Sequence, residues 1–254
     1  MPANAFARLA RTRASGALLL ALLLAVWQSS GHAMASPNWP PVSEIAKALA
    51  AGVASGELIQ IFSSSLYRML VGYGIGVAAA LVVGLLMAST RLVHAALEPV
   101  VELLRPIPVP AIVPPLILLL GVDDALKIFI VAFSGFFPVL VNTIAGVRAV
   151  DPIGVNVART LGVGRFRTAL RVVLPASLPY VLAGMRVSLS LALIVTVVAE
   201  MIAGSSGIGY YLMTMQYALR ASDMYAAIFV LAAVGYGLNR GFVAIERRVL
   251  HWYY

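Results

Sequence analysis

Apolar residues gather into six long stretches, at residues 14–34, 64–88, 106–121, 126–146, 180–203 and 224–243, separated by shorter segments that hold most of the charge. A helix needs roughly 20 predominantly apolar residues to cross a bilayer core about 30 Å thick. The pattern therefore predicts an all-α, polytopic membrane bundle of about six transmembrane helices. The third stretch is short for a perpendicular crossing, and Gly121, Val122, Asp123 and Asp124 after it read as a tight turn out of the membrane. Residues 35–60 contain Pro37, Pro40 and Pro41 and then a run from Ser43 to Leu49 that reads as a short capped amphipathic helix at the outer surface.

Inside the spans, two patterns stand out. Gly72, Gly76, Ala80 and Gly84 recur every four positions and line one helix face, which permits close backbone approach: a packing stripe first, a moving interface second. The third stretch carries Pro106, Pro108, Pro110, Pro114 and Pro115, each of which removes a backbone donor. In hydrocarbon the freed carbonyls need partners or water, so this backbone is expected to be buried in the bundle or to face a wet cavity. A proline-rich entry turn followed by ordinary helix is the alternative.

Composition sharpens the picture. The chain has 254 residues, of which 61% are apolar and 11% charged, with a mean hydropathy of +0.96, values no water-soluble domain of this size sustains on its surface. It reads as one membrane domain over 1–254, with its core over about 60–245, and lipid as its surroundings. The net charge of +8 does not call for nucleic acid. With the N-terminus inside, fourteen of the 18 basic residues fall on the cytoplasmic side and only Lys47, Arg68, Lys127 and Arg220 outside. Positive loops resist translocation, so both termini are expected in the cytosol. The absence of cysteine removes thiol chemistry, and His32, His94 and His251 are too scattered for a metal site. Arg8, Arg11 and Arg13 before the first stretch, with Ala33, Met34 and Ala35 after it, leave two readings: a cleaved signal peptide or an uncleaved first span.

The charge is densest between the fourth and fifth stretches. Asp151 followed by Pro152 fits a cap and first helical position, predicting a short helix over 152–161 that Gly162 and Gly164 end. A second short helix over 165–173 puts Phe166, Ala169, Leu170 and Val173 on one face, with Arg167 and Arg171 on another, and Pro175 and Pro179 are expected to stop it. An amphipathic helix–turn–helix outside the bilayer could lie on anionic headgroups, or be a plain solvated loop. The specified turn favours a docking element for a cytosolic partner.

These residues carry a resemblance. Ala158, Arg159, Thr160, Leu161 and Gly162, nine residues, then Val172, Val173, Leu174 and Pro175 resemble the cytoplasmic "EAA" loop of ATP-binding-cassette importer permeases. Leu104 to Pro108, Phe136 to Pro138 with Asn142 and Thr143, Gly146 to Arg148, Ala199 to Ile202 and Gly207 to Gly209 look like the nitrate, sulfonate and taurine branch, and Trp27-Gln28 favours the uncleaved span. Asn156 and Val157 stand where that family usually has Glu-Ala.

The resemblance implies a permease subunit that forms the translocation path for a small oxyanion or organosulfur solute. It would work as a homodimer with two cytosolic ATPase subunits and an extracytoplasmic substrate-binding protein, in a bacterial inner membrane. Docking would fall to Asn156, Ala158, Arg159, Gly162, Arg165, Phe166, Arg167, Leu170, Arg171 and Pro175. The chain has no Gly-x-x-x-x-Gly-Lys-[Ser/Thr] phosphate loop, so ATP and Mg are expected in the partner and no catalytic role, cofactor or metal here. Candidate path residues are Asn142, Thr143, Ser188, Ser190, Thr196 and Glu200, although Ser and Thr also bond backbone carbonyls within helices and Glu200 could equally make a structural bond to a neighbouring span or the 204–207 loop. An ion-coupled secondary transporter and a membrane anchor for a cytosolic complex stay open.

Overall fold

A computed structural model describes residues 13–34 and 36–252, with the side chains of residues 13–15 excepted. Arg8, Arg11 and Ala35 therefore lie outside the described residues. Every regular element described is helical: α1 (Arg13–Met34), α2 (Val42–Ala54), α3 (Glu57–Ser89), α4 (Arg91–Leu104), α5 (Val109–Leu120), α6 (Asp124–Arg148), α7 (Pro152–Thr160), α8 (Arg165–Thr168), a π-helical turn (Ala169–Val173), α9 (Leu174–Ala203), α10 (Ile208–Tyr217) and α11 (Ala221–Val249). Five helical segments are long and apolar enough to cross a membrane, and the bent pair α4–α5 makes up to six. The chain divides into two compact units, one from Met1–Gln60 with Tyr211–Val230, the other from Ile61–Tyr210 with Leu231–Tyr254.

In the first unit, α1 turns back onto α2 through a set of side-chain clasps. The Trp27 indole donates to the Pro40 carbonyl at 3.2 Å and stacks on Trp39, centroids 5.1 Å apart. Gly31 lets Pro41 come so close that a Cβ would sit 2.7 Å from the proline Cα. Ser43 does not cap α2 as the sequence suggests. Pro41 takes the N-cap position with no side-chain bond, and Ser43 lies inside the first turn. Its amide donates to Gln28 Oε1 at 2.9 Å, so a residue fifteen positions upstream satisfies the helix-end donor.

The second unit is built around α6 and α9. The small-residue stripe of α3 does what its spacing predicts: a Cβ on Gly76 would meet the Ala132 carbonyl of α6 at 2.5 Å, and Ala80 is fully buried. Close backbone approach of this kind replaces the hydrophobic drive that helices lack in lipid. Between α6 and α9, Gly146 of α6 lies against Ser177 and Tyr180, and Gly184 of α9 against Pro138 and Asn142, just as closely. Met69, Leu126, Ile130, Leu189, Ala192 and Phe242 fill the core between them.

Two expectations about the spans need correction. The third is not one short helix over 106–121. It is the second limb of α4–α5, which bend by 99° at the Arg105 to Pro108 break, and α4 escaped notice because Arg91, His94, Glu98 and Glu102 interrupt its apolar run. Nor do Pro175 and Pro179 stop a short helix: Arg165–Ala203 is continuous over 39 residues. Pro175 sits in the first turn of α9, directly after the π-helical turn. Wider i to i+5 bonding there accommodates the missing donor that would break an ordinary helix.

Candidate functional site

Polar chemistry in the second unit includes the loop between α6 and α9, a cavity beside α6, and a buried ion cluster, besides the Arg186–Glu246 and His94–Glu98 ion pairs.

The loop has the geometry its sequence foretells. Asp151 Oδ1 accepts from the Ile153 amide at 2.8 Å, capping α7 ahead of Pro152. At the other end Gly162 stands at φ +71°, its amide donating to the Arg159 carbonyl, and the Val163 amide donates back to Ala158. This is a Schellman turn, and its left-handed residue is the one that favours glycine. Ile153, Val157, Leu161, Phe166 and Leu170 are exposed, Leu161 and Phe166 to 75%. Large apolar side chains stand open on these short helices in the same segment as the exposed Arg159, Arg165, Arg167 and Arg171. Asn156 and the four arginines are exposed as a docking role needs. Ala158 is buried at 7%, so it shapes the elbow and offers little contact area, and Pro175 is half-buried.

The cavity, about 400 Å³, lies between α5, α6 and α9. Phe133, Phe137, Val187, Leu191 and Val195 form its apolar wall, and Arg105, Ser134 and Asn142 are its polar members. Arg105 and Ile107 of the break and Val109 after it border this cavity, but Pro106, Pro108, Pro110, Pro114 and Pro115 are all exposed and none lines it, and the segment continues as the ordinary helix α5, the alternative the sequence left open.

Of the six path candidates, Asn142 alone lines this cavity, its Nδ2 donating to the Pro138 carbonyl at 2.8 Å. Thr143 and Thr196 are buried and donate to carbonyls one turn back, at 2.7 and 2.8 Å. Ser188 is buried and ties α9 to α6 through the Gly135 carbonyl, and Ser190 bonds Arg186 on the helix exterior. These four are fastened to backbone, the ordinary fate of hydroxyls in apolar helices.

Glu200 makes structural bonds, as the sequence also allowed. It is completely buried; Arg68 Nη1 donates to Oε1 at 2.8 Å, the Ser65 hydroxyl lies 2.8 Å from Oε2, and the Gly209 amide donates to Oε2 at 3.1 Å. Arg68 in turn bonds Asp124 at 2.7 Å and the Ser206 hydroxyl at 2.7 Å. The cluster joins α3, α6, α9 and the 204–207 loop, where Gly207 at φ +100° clears the carboxylate. Lys127 is buried alongside, 3.9 Å from Asp124. Sequence reasoning missed Arg68, Asp124, Lys127, Ser134 and Arg105 as site residues. An intramembrane acid needs a partner, but nothing in one sequence says that Glu200 finds it 132 positions away.

A membrane protein of five to six candidate spans with an exposed, glycine-turned helical elbow fits a transporter membrane subunit, and comparison with known proteins agrees. Residues 75–251 match the family described as binding-protein-dependent transport system inner membrane component. The chain is 35% identical over 240 residues to SsuC of Bacillus subtilis, named as a transport permease for aliphatic sulfonates, covering 93% of this chain and 87% of that one. It is 30% identical to the taurine transport system permease TauC of Escherichia coli, over 92% and 88% of the two chains. Among solved structures, an inward-facing methionine transporter, MetNI, superposes with a TM-score of 0.66 at 18% identity, covering 76% of this chain and 95% of that one. This chain belongs to the binding-protein-dependent transport system inner membrane component family.

Proposed function

We propose that two copies of this chain form the membrane path of an ATP-driven importer for a small oxyanion or organosulfur solute. ATP would be hydrolysed by two cytosolic subunits seated on the α7–α8 elbow, and an extracytoplasmic binding protein would deliver the solute. The chain itself then carries out no catalysis. It is a single membrane domain that moves, with both termini in the cytosol.

The observation that carries this reading is the elbow. Its apolar ridge is open, its turn is fixed by Gly162, and it joins directly to the longest helical run in the chain. A mere anchor would need the ridge but no cavity between spans. An ion-coupled transporter would need a titratable group free to change charge near the midplane, whereas Glu200 is held by Arg68, Ser65 and Gly209.

The test is Gly162→Val in the full complex reconstituted in vesicles. No neighbouring atom lies within 4 Å of a Cβ at Gly162, so the substitution acts through the backbone alone. The left-handed conformation costs a side-chain-bearing residue about 1–2 kcal/mol. ATP-driven taurine or ethanesulfonate uptake is expected to fall about tenfold while ATP hydrolysis continues. Unchanged uptake with unchanged copurification of the ATPase subunits overturns the proposal.

A further inference from the structure

We infer that Arg105 is the anion-recognising residue of the solute path, working with the Asn142 amide; the inference rests on the importer reading above. Among the described residues, Arg105 is the single charged one lining the cavity beside α6. It caps the C-terminal end of α4, and the 99° bend that follows turns the chain there into α5, whose first residue, Val109, lines the same cavity.

The carboxylates nearby do not claim it. Glu98 and Glu102 line an adjoining cavity of about 290 Å³ that Arg105 also borders, together with His94 and Arg148. Glu98 faces His94 at 3.2 Å, and among the described ion pairs Arg105 has none. An exposed guanidinium in a cavity whose other lining residues are uncharged, Phe133 and Phe137 among them, offers five N–H donors and no competing charge inside.

The rest of the wall narrows the solute class. Asn142 uses one Nδ2 hydrogen on Pro138 and keeps the other, which a sulfonate or nitrate oxygen can accept. Phe133, Phe137 and Leu191 suit a short alkyl stem. A small monoanion with an alkyl tail, with or without an ammonium group, satisfies this wall. A divalent cation is repelled, and a neutral heterocycle leaves the guanidinium unpaired.

The experiment uses the reconstituted complex with its ATPase and binding-protein partners and two readouts: ATP-driven uptake of taurine, ethanesulfonate and nitrate, and ATP hydrolysis stimulated by loaded binding protein. Arg105→Gln is expected to reduce uptake about 10- to 100-fold, the range for a charged hydrogen bond. Stimulated hydrolysis should stay within about twofold, because docking is untouched. Arg105→Lys should recover part of the uptake, having charge without the fork. Asn142→Ala should lose less than Arg105→Gln.

Equal uptake in wild type and Arg105→Gln overturns the inference and leaves the importer reading intact. Loss of hydrolysis together with uptake in both Arg105 variants also overturns it, by making Arg105 a structural or headgroup-anchoring residue. A wild-type complex inert toward all three anions overturns the inference and the solute class together.

Discussion

At the scale of single residues, the buried pair Arg68–Glu200 matters most for stability. Removing one partner strands a charge where water cannot reach it, at a cost of about 3–5 kcal/mol. Arg68→Ala and Glu200→Ala should each lower the unfolding midpoint in detergent strongly, and the double variant should lose much less than the sum. Additive losses would mean that the two side chains do not stabilise each other. Asp124 is half-exposed and shares Arg68 with Glu200, so Asp124→Asn should cost less than either. Little of this was legible in the sequence. Glu200 was noticeable as an acid in an apolar stretch, but Ser65 and Arg68 come from a helix more than 130 positions away, and Lys127 passed as an ordinary external cation. Conversely, Ser188, Thr143 and Thr196 looked polar enough to meet a solute. Only the fold shows that Gly135, Val139 and Ala192 carbonyls take their hydroxyls.

At the scale of elements, glycine positions two residues apart on α3 should behave oppositely. A side chain on Gly76 would run into the α6 backbone, whereas nothing lies within 4 Å of a Cβ on Gly74. Gly76→Leu should abolish stable membrane accumulation and Gly74→Leu should leave it near wild type, measured by fluorescence-detected gel filtration. Equal behaviour would show that the stripe does not pack as described. The stripe, the spans and the capped elbow were readable because each depends on local spacing: fourfold recurrence of small residues, runs of spanning length, Asp before Pro, Gly after a helical turn. The bent α4–α5 pair was not, because charges on one face of α4 break the apolar run that a length criterion needs. The continuity of Arg165–Ala203 was hidden for a different reason. Proline reads as a stop, yet Pro175 falls in the first turn of α9 directly after the π-helical turn, where a missing donor is tolerated, and Pro179 is carried inside the helix.

At the scale of the whole molecule, the uneven distribution of Lys and Arg makes a direct prediction about orientation. The native chain has no cysteine, so single replacements report cleanly. A membrane-impermeant maleimide on intact cells should label Tyr217→Cys, between the last two spans, and should reach Thr160→Cys only after lysis. Both wild-type side chains are exposed. The reverse labelling would invert the topology and put the elbow on the wrong side for a nucleotide-driven partner. One further consequence follows from the uninterrupted run Arg165–Ala203. At 1.5 Å per residue it is a strut about 58 Å long, with Phe166 open at one end and Glu200 locked at the other. In the proposed importer, a push delivered in the cytosol would arrive at the far face of the membrane without crossing a joint, except for the single wide turn at Ala169–Val173. The stiffness of that turn sets how much of the stroke survives the journey.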